Sequence, residues 1–183
     1  MIFKEKTISL KNGETCVLRS PEVEDAEAML NYLRKTTAET DYLLRYPEEV
    51  TMTIEDEINY INHVREAPRG VMICAFIGNK LVGNTHLMPV GEVYKISHRA
   101  TFGIAVLKEA WNLGLGSTLI TEILKVAGEA GFELVELEVA GPNHKAIELY
   151  KKFGFKIYGT REKGFKFKDG TYCDEHLMLK RIR

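Results

Sequence analysis

The chain has 183 residues, 45% of them hydrophobic and 28% charged, with a net charge of −1. That is enough apolar material for one domain over residues 1–183, and a balance so close to neutral gives no electrostatic footing for nucleic acid or an anionic membrane. No apolar run nears the roughly 20 residues of a membrane helix, the opening MIFKEKTISLKNGET has no signal-peptide stretch, and Cys16, Cys74 and Cys173 form no CxxC pair, so a cytoplasmic protein with reduced thiols is expected and a disulfide framework is not.

In chain order, Thr15 to Arg19 alternates as a strand does. Ser20-Pro21-Glu22 then reads as a helix start, with Ser20 as cap and the helix running to about Lys35. A second helix is predicted from Ile54 to Val64, capped by Thr53, with Ile54, Ile58 and Ile61 along one face. Val71 to Ile77 and Lys80 to Met88, split by Gly78-Asn79, predict a hairpin. Arg99 to Val106 is the next strand. After it comes a glycine-containing segment, Asn112 to Ser117, and then a helix in which Leu115, Leu119, Ile123 and Ala127 recur every four residues, with Ile120 and Leu124 beside them. Gly131 closes that helix as a left-handed cap.

Leu134 to Val139 alternates glutamates against Val135, Leu137 and Val139, which is strand spacing. Asn143 to Phe153 predicts a short helix ended by Gly154, with Ala146, Leu149 and Phe153 as core. Phe155 to Leu179 holds two or three strands, with Asp169-Gly170 as the clearest turn. Hairpin strands followed by strand–helix–strand–helix give an α/β (α+β) fold, a mixed sheet with helices on both faces.

Two segments carry chemistry. Gly114-Leu115-Gly116 lies between a strand and an amphipathic helix, where unpaired N–H groups and the helix dipole favour an anion; a tight turn would need the same small residues. The dinucleotide fingerprint fails because Leu119 takes the place of its third glycine, and no Gly-Lys-Ser/Thr triplet exists for a Walker loop. In the second segment, Asn143, Ile147 and Tyr150 share one helix face. Tyr150 is either a core aromatic or a phenol able to give a proton to a leaving thiolate.

The stretch Val106 to Ile120 resembles the acyl-CoA-binding signature of the GNAT acetyltransferase superfamily, Q/R-x-x-G-x-G/A after a strand. The stretch Asn143 to Phe155 resembles that superfamily's next signature, N-x-x-A-x-x-L-Y-x-K-x-G-F. VLRSPEVEDAEAML and DGTYCDEHLMLKR resemble its first strand and helix and its last strand, the latter in the branch that acetylates small molecules or protein N-termini. The resemblance implies a mostly antiparallel central sheet and an acetyl-CoA-dependent N-acetyltransferase. The backbone of Ile104, Ala105 and Val106 would pair with the pantetheine arm, an N–H near Val106 would polarise the thioester carbonyl, and Asn112, Leu113, Gly114, Leu115, Gly116 and Ser117 would hold the pyrophosphate. Asn143 would bond the pantetheine, and Tyr150 would be the general acid. Trp111 stands at the Q/R position and Leu113 where a basic residue is common, so Lys108, Lys145 or Lys151 would have to compensate.

The amine's proton needs an acceptor, and Glu138 is the first candidate, with His98 and Glu92 behind it. Glu39, Tyr42 and Tyr172, with the acids near them, are candidates for the acceptor pocket. No HxxxH, HExxH or GxSxG spacing occurs, so neither a metal nor a serine nucleophile is expected. KGFKFK at 163–168 reads as strand alternation rather than a nucleic-acid patch. The expected partner is a small-molecule or peptide amine, with a homodimer possible. The alternative is an acyl-CoA-binding sensor without turnover.

Overall fold

The computed structural model describes residues 1–182. It contains eight strands, β1 (Lys6–Ser9), β2 (Thr15–Arg19), β3 (Val71–Ile77), β4 (Lys80–Pro89), β5 (Arg99–Val106), β6 (Leu134–Ala140), β7 (Lys156–Lys166) and β8 (Tyr172–Arg181). Four α-helices accompany them: α1 (Ala26–Glu39), α2 (Ile54–Glu66), α3 (Leu115–Glu129) and α4 (His144–Lys152). The strand order is β1-β2-β3-β4-β5-β6-β8-β7. The pairs β1–β2, β2–β3, β3–β4, β6–β8 and β7–β8 are antiparallel, and β5–β6 is parallel. The mixed, mostly antiparallel sheet expected of a GNAT-like fold is thus present.

The chain divides into two compact units, residues 1–88 with 103–123, and residues 89–102 with 124–182. The first holds β1 to β4, α1, α2, the end of β5 and the first half of α3. Helices cover both faces of β4 there. Tyr32 of α1 reaches Asn84, while the neighbouring Gly83 backs onto Leu115 and Leu119 of α3; adjacent strand residues point to opposite faces. Of the expected α3 stripe, Leu115, Leu119, Ile120, Ile123 and Ala127 are inaccessible, while Leu124 is half-buried. α2 is capped as its sequence requires: Thr53 Oγ1 accepts from Asp56 N, and the Asp56 carboxylate accepts from Thr53 N.

Two local expectations need correction. Ser20 does not cap α1. It is buried, its hydroxyl donating to Met72 O and accepting from Phe3 N. The chain passes through a 3₁₀ turn at Val23–Asp25, where Asp25 accepts from Glu22 N and pairs with Arg19, and α1 then runs on to Glu39. On α2, Ile54 is exposed, and the buried stripe is Glu57, Ile61 and Val64.

In the second unit β6 alternates as expected, with Val135, Leu137 and Val139 buried and Glu138 exposed. α3 ends through Gly131, at φ +77°, with Phe132 N donating back to Ala127 O. α4 buries Ile147 and Tyr150, whereas Ala146, Leu149 and Phe153, expected as core, are only half-buried. Nine residues are too few to bury more than one narrow stripe. Gly170, at φ +85°, makes the expected turn between β7 and β8. Among the described residues all three cysteines are free thiols, and no helix is long and apolar enough to cross a membrane.

Leu119 faces the sheet with no accessible surface. Leu119→Ala is expected to cost about 2–5 kcal/mol and to lower the thermal midpoint by roughly 5–15 °C, as read by far-UV circular dichroism. Thr53→Ala, at an exposed cap, is expected to cost about 1 kcal/mol.

Candidate active site

In the first unit the site begins at the end of β5. Three carbonyls there are held by side chains from three other segments. Thr85 Oγ1 donates to Gly103 O at 2.9 Å, the Tyr32 hydroxyl to Ala105 O at 2.7 Å, and Trp111 Nε1 to Val106 O at 2.7 Å. Leu107 N continues with a bond to Val82 O, and a 3₁₀ turn at Lys108–Ala110 reverses the chain. The expected acceptor residue Glu39 lies beside this turn, its carboxylate accepting from Lys108 N at 2.7 Å.

The glycine segment follows. Asn112 has φ +64° and Gly114 φ +89°, so residues on either side of Leu113 adopt left-handed backbone. Left-handed residues in such a loop are the backbone pattern found in anion-binding nests. Among the described residues, none of the N–H groups from Asn112 to Ser117 donates a hydrogen bond to another backbone carbonyl. The expectation for this loop was a phosphate cradle or a tight turn, and its donors are unclaimed by the fold. Two basic residues lie near it. Lys11 donates its N–H to Leu113 O, and its side chain runs 3.7 Å from where a Gly114 β-carbon would sit. The Lys108 ammonium stands 5.9 Å over the Trp111 ring. Lys11 was not among the compensating lysines expected from sequence, since more than 100 residues separate it from the loop.

In the second unit, Asn143 Oδ1 accepts from Ala146 N at 3.3 Å, capping α4. Tyr150, one helix face further on, is 8% exposed. Its ring meets Phe102 edge-on at 5.9 Å and Phe155 at 6.0 Å. Burial pushes the phenol pKa up to about 12. The hydroxyl has no hydrogen-bond partner among the described residues, and none of their fully buried side-chain N or O atoms lacks one. The hydroxyl therefore opens to the surface.

Glu138 pairs with Arg161 at 3.3 Å, and Arg161 also grips Glu175. Glu175 is buried, and burial first, then the charge of Glu138, raises its carboxyl pKa. A bulge in β7 between Arg161 and Phe165 shapes this cluster. Its Gly164 leaves no room for a β-carbon, which would fall 2.6 Å from Glu175 Cβ.

Of the remaining expected residues, Tyr42 and Tyr172 are exposed, and Lys163 and Lys166 each lie 5.7 Å from the Tyr172 ring. Lys145 is exposed on the first turn of α4, and Lys151 pairs with Glu148. His98 serves the fold through its carbonyl, which accepts from Glu133 N and Leu134 N; Glu92 is exposed in the preceding loop. No group of three or more His, Cys, Asp or Glu is placed to hold a metal among the described residues. The sequence reading missed Tyr32 and His86. The signal was the polar alternation Asn84 and His86 inside an otherwise apolar strand.

The Acetyltransferase (GNAT) family model matches residues 30–155, which include the glycine segment and α4. The chain belongs to the GNAT acetyltransferase family and is an acyltransferase of a family that uses acetyl-CoA. Among curated relatives it is 28% identical to the L-amino acid N-acetyltransferase AaaT of Escherichia coli (strain K12), over 90% of this chain and 96% of the relative. Among solved structures it is similar to the GNAT-family acetyltransferase of Streptococcus pneumoniae, with TM-score 0.86, 28% identity, and coverage of 91% of this chain and 99% of that one. It shares its fold with YncA of Salmonella typhimurium, a structure solved with acetyl-CoA, with TM-score 0.80 at 13% identity, over 92% of this chain and 94% of that one.

Gly114→Ala would place a β-carbon in left-handed backbone with nothing nearer than the flexible Lys11 side chain. The expected cost is therefore backbone strain alone, about 1–2 kcal/mol, and a midpoint lowered by a few degrees. Asn112→Gly relieves the same kind of strain and should leave the midpoint unchanged or raise it.

Proposed function

We propose that this enzyme transfers an acetyl group directly from acetyl-CoA to the primary amine of a small molecule, an amino acid being the leading class. The observation that carries the coenzyme reading is the run of unclaimed N–H groups from Asn112 to Ser117 at the start of α3. Pyrophosphate is the anion of coenzyme A that such a cradle suits. Lys11 and Lys108 supply positive charge beside it in place of the basic residue that Leu113 replaces. The backbone of Ile104, Ala105 and Val106 receives the pantetheine as an added strand partner, and Asn143 hydrogen-bonds it with the amide not used in capping. The N–H of Val106 or its neighbour polarises the thioester carbonyl. The amino-acid assignment leans on the likeness to AaaT, which spans nearly the whole of both chains.

In the reaction the amine nitrogen bonds to the thioester carbon, the C–S bond breaks, one proton leaves nitrogen and one reaches sulfur. Tyr150 serves the sulfur. With a pKa of about 12 it stays protonated throughout any assay range. Full transfer to a thiolate whose conjugate acid has a pKa of about 8.5 is uphill by roughly 5 kcal/mol. Its part is therefore to hydrogen-bond the charge that develops on sulfur as the bond breaks, with the proton completed from solvent. Glu138, exposed and paired with Arg161, suits attracting a cationic amine better than accepting a proton.

Acetyl-CoA at about 100 times its dissociation constant should stabilise the protein by roughly 2.7 kcal/mol, a rise in midpoint of about 5–10 °C. Coenzyme A should act likewise, and ATP and NAD should not. Tyr150→Phe should keep that rise and lose about 10²-fold in kcat over a panel of L-amino acids and alkylamines. No rise at millimolar acetyl-CoA would reject the coenzyme site, and an unchanged kcat would reject Tyr150.

A further inference from the structure

The reaction still lacks a group to take the proton from nitrogen. We propose that His86 of β4 is that proton acceptor. The inference rests on the acetyl-transfer reading and adds a residue to it.

His86 sits opposite Met72 of β3 and two residues from Asn84, on the sheet face that Tyr32 of α1 reaches. On its other side is Gly103. A β-carbon at Gly103 would lie 2.3 Å from His86 Cε1, 2.8 Å from Nε2 and 3.1 Å from Nδ1. The imidazole thus rests on the Gly103 backbone, in space that only glycine leaves open. Gly103 directly precedes Ile104–Val106, the backbone assigned to the pantetheine and the thioester. Neither ring nitrogen has a hydrogen-bond partner among the described residues, none of whose fully buried side-chain N or O atoms goes without one. A nitrogen of this ring therefore opens to solvent with its lone pair unclaimed.

Burial lowers the imidazole pKa below the ordinary histidine value of 6.5. Burial is the cause that acts on His86; the shifted titratable groups on the elements around Asn84 and Cys74 are Cys74 of β3, Tyr32 of α1 and Glu57 of α2. Burial raises all three, so Cys74 and Tyr32 stay neutral where His86 titrates, and Glu57 is the only acid among them. Arg19, beside Cys74, is committed to Asp25. On β5 the ring meets the Gly103 backbone.

The neutral amine bonds to the thioester carbon, leaving positive charge on nitrogen in the tetrahedral adduct. A nitrogen of His86 takes one N–H proton, the carbonyl re-forms as the C–S bond breaks, and the imidazolium returns its proton to solvent. The working form is neutral imidazole. Activity should be low at acid pH and rise through a pKa below 6.5, with any further rise at alkaline pH following the amine's own titration.

The test is kcat against pH for wild type and His86→Gln, with an amine from the panel and acetyl-CoA binding followed by thermal shift. The expected result is a loss of about 10²–10³-fold in kcat, disappearance of the acidic limb and an unchanged shift with acetyl-CoA. In wild type, the pKa of the limb should match that of the His86 ring measured by NMR, a comparison that needs no variant. His86→Gln within threefold of wild type with its limb intact, or a ring pKa more than about one unit from the limb, would overturn the role of His86 while the normal shift leaves the coenzyme site standing. Wild type with neither shift nor turnover would reject the acetyl-transfer reading and this role together.

Discussion

The end of β5 is held by side chains. A buried carbonyl left without a donor costs about 1–3 kcal/mol, and at Gly103, Ala105 and Val106 the donors come from Thr85, Tyr32 and Trp111. Each comes from a different segment, so the position of this strand end is fixed from several directions. Everything proposed for the first unit follows from that. The strand end sets where the chain reverses at Lys108–Ala110, and the reversal sets where the N–H groups of Asn112 to Ser117 emerge. Trp111 illustrates the point. It occupies a position where the family signature has a polar or basic residue, and its indole N–H closes the strand at Val106. The departure from the signature exchanges a polar or basic side chain for a fixed strand end, and Lys11 lies beside the loop that follows.

The second unit handles charge differently. Glu138 and Glu175 share Arg161. Two carboxylates close together raise each other's pKa, and a guanidinium between them opposes that. For Glu175 burial still prevails and the pKa is raised. The β7 bulge, with Lys163 at φ +53° and Gly164 against Glu175, is the backbone adjustment that lets the three side chains meet. Tyr150 stands apart from this network among aromatic rings, which keep its phenol neutral. The ion-pair network and the neutral phenol are thus kept apart within one unit.

Much of this was legible in the sequence because periodicity and capping are local. The four-residue stripe of α3, the Thr53 cap, the Asn143 cap and the hairpin glycines each depend on residues within a turn or two. Ser20 was misread because a Ser-Pro-Glu run fits a helix start locally, while its partners, Phe3 and Met72, lie far away in sequence. β1 escaped notice because only four residues pair, against β2 alone. Lys11, Tyr32 and His86 share one difficulty: their relevance comes from cross-chain proximity to β5 and the loop after it, which no spacing rule encodes. His86 alternates with Asn84 in a manner that could mark a polar strand face, but the contact with Gly103 that gives it meaning is visible only in three dimensions.

Most buried polar groups are bonded within the chain, Glu57 of α2 being a buried carboxyl without a side-chain hydrogen bond among the described residues. Ser20, Thr36, Thr37, Thr85, Glu122 and Glu175 are buried, and each is bonded within the chain. A fold that satisfies these does so because unpaired burial is costly. Tyr150 and His86 are covered too, yet their polar atoms face outward without partners, and the environments around them hold both groups neutral. A side chain kept only for packing would gain nothing from a hydroxyl or an imidazole in such a place, since phenylalanine or leucine would fill the same volume without the desolvation cost. Both groups are thus left open to a partner from outside the chain.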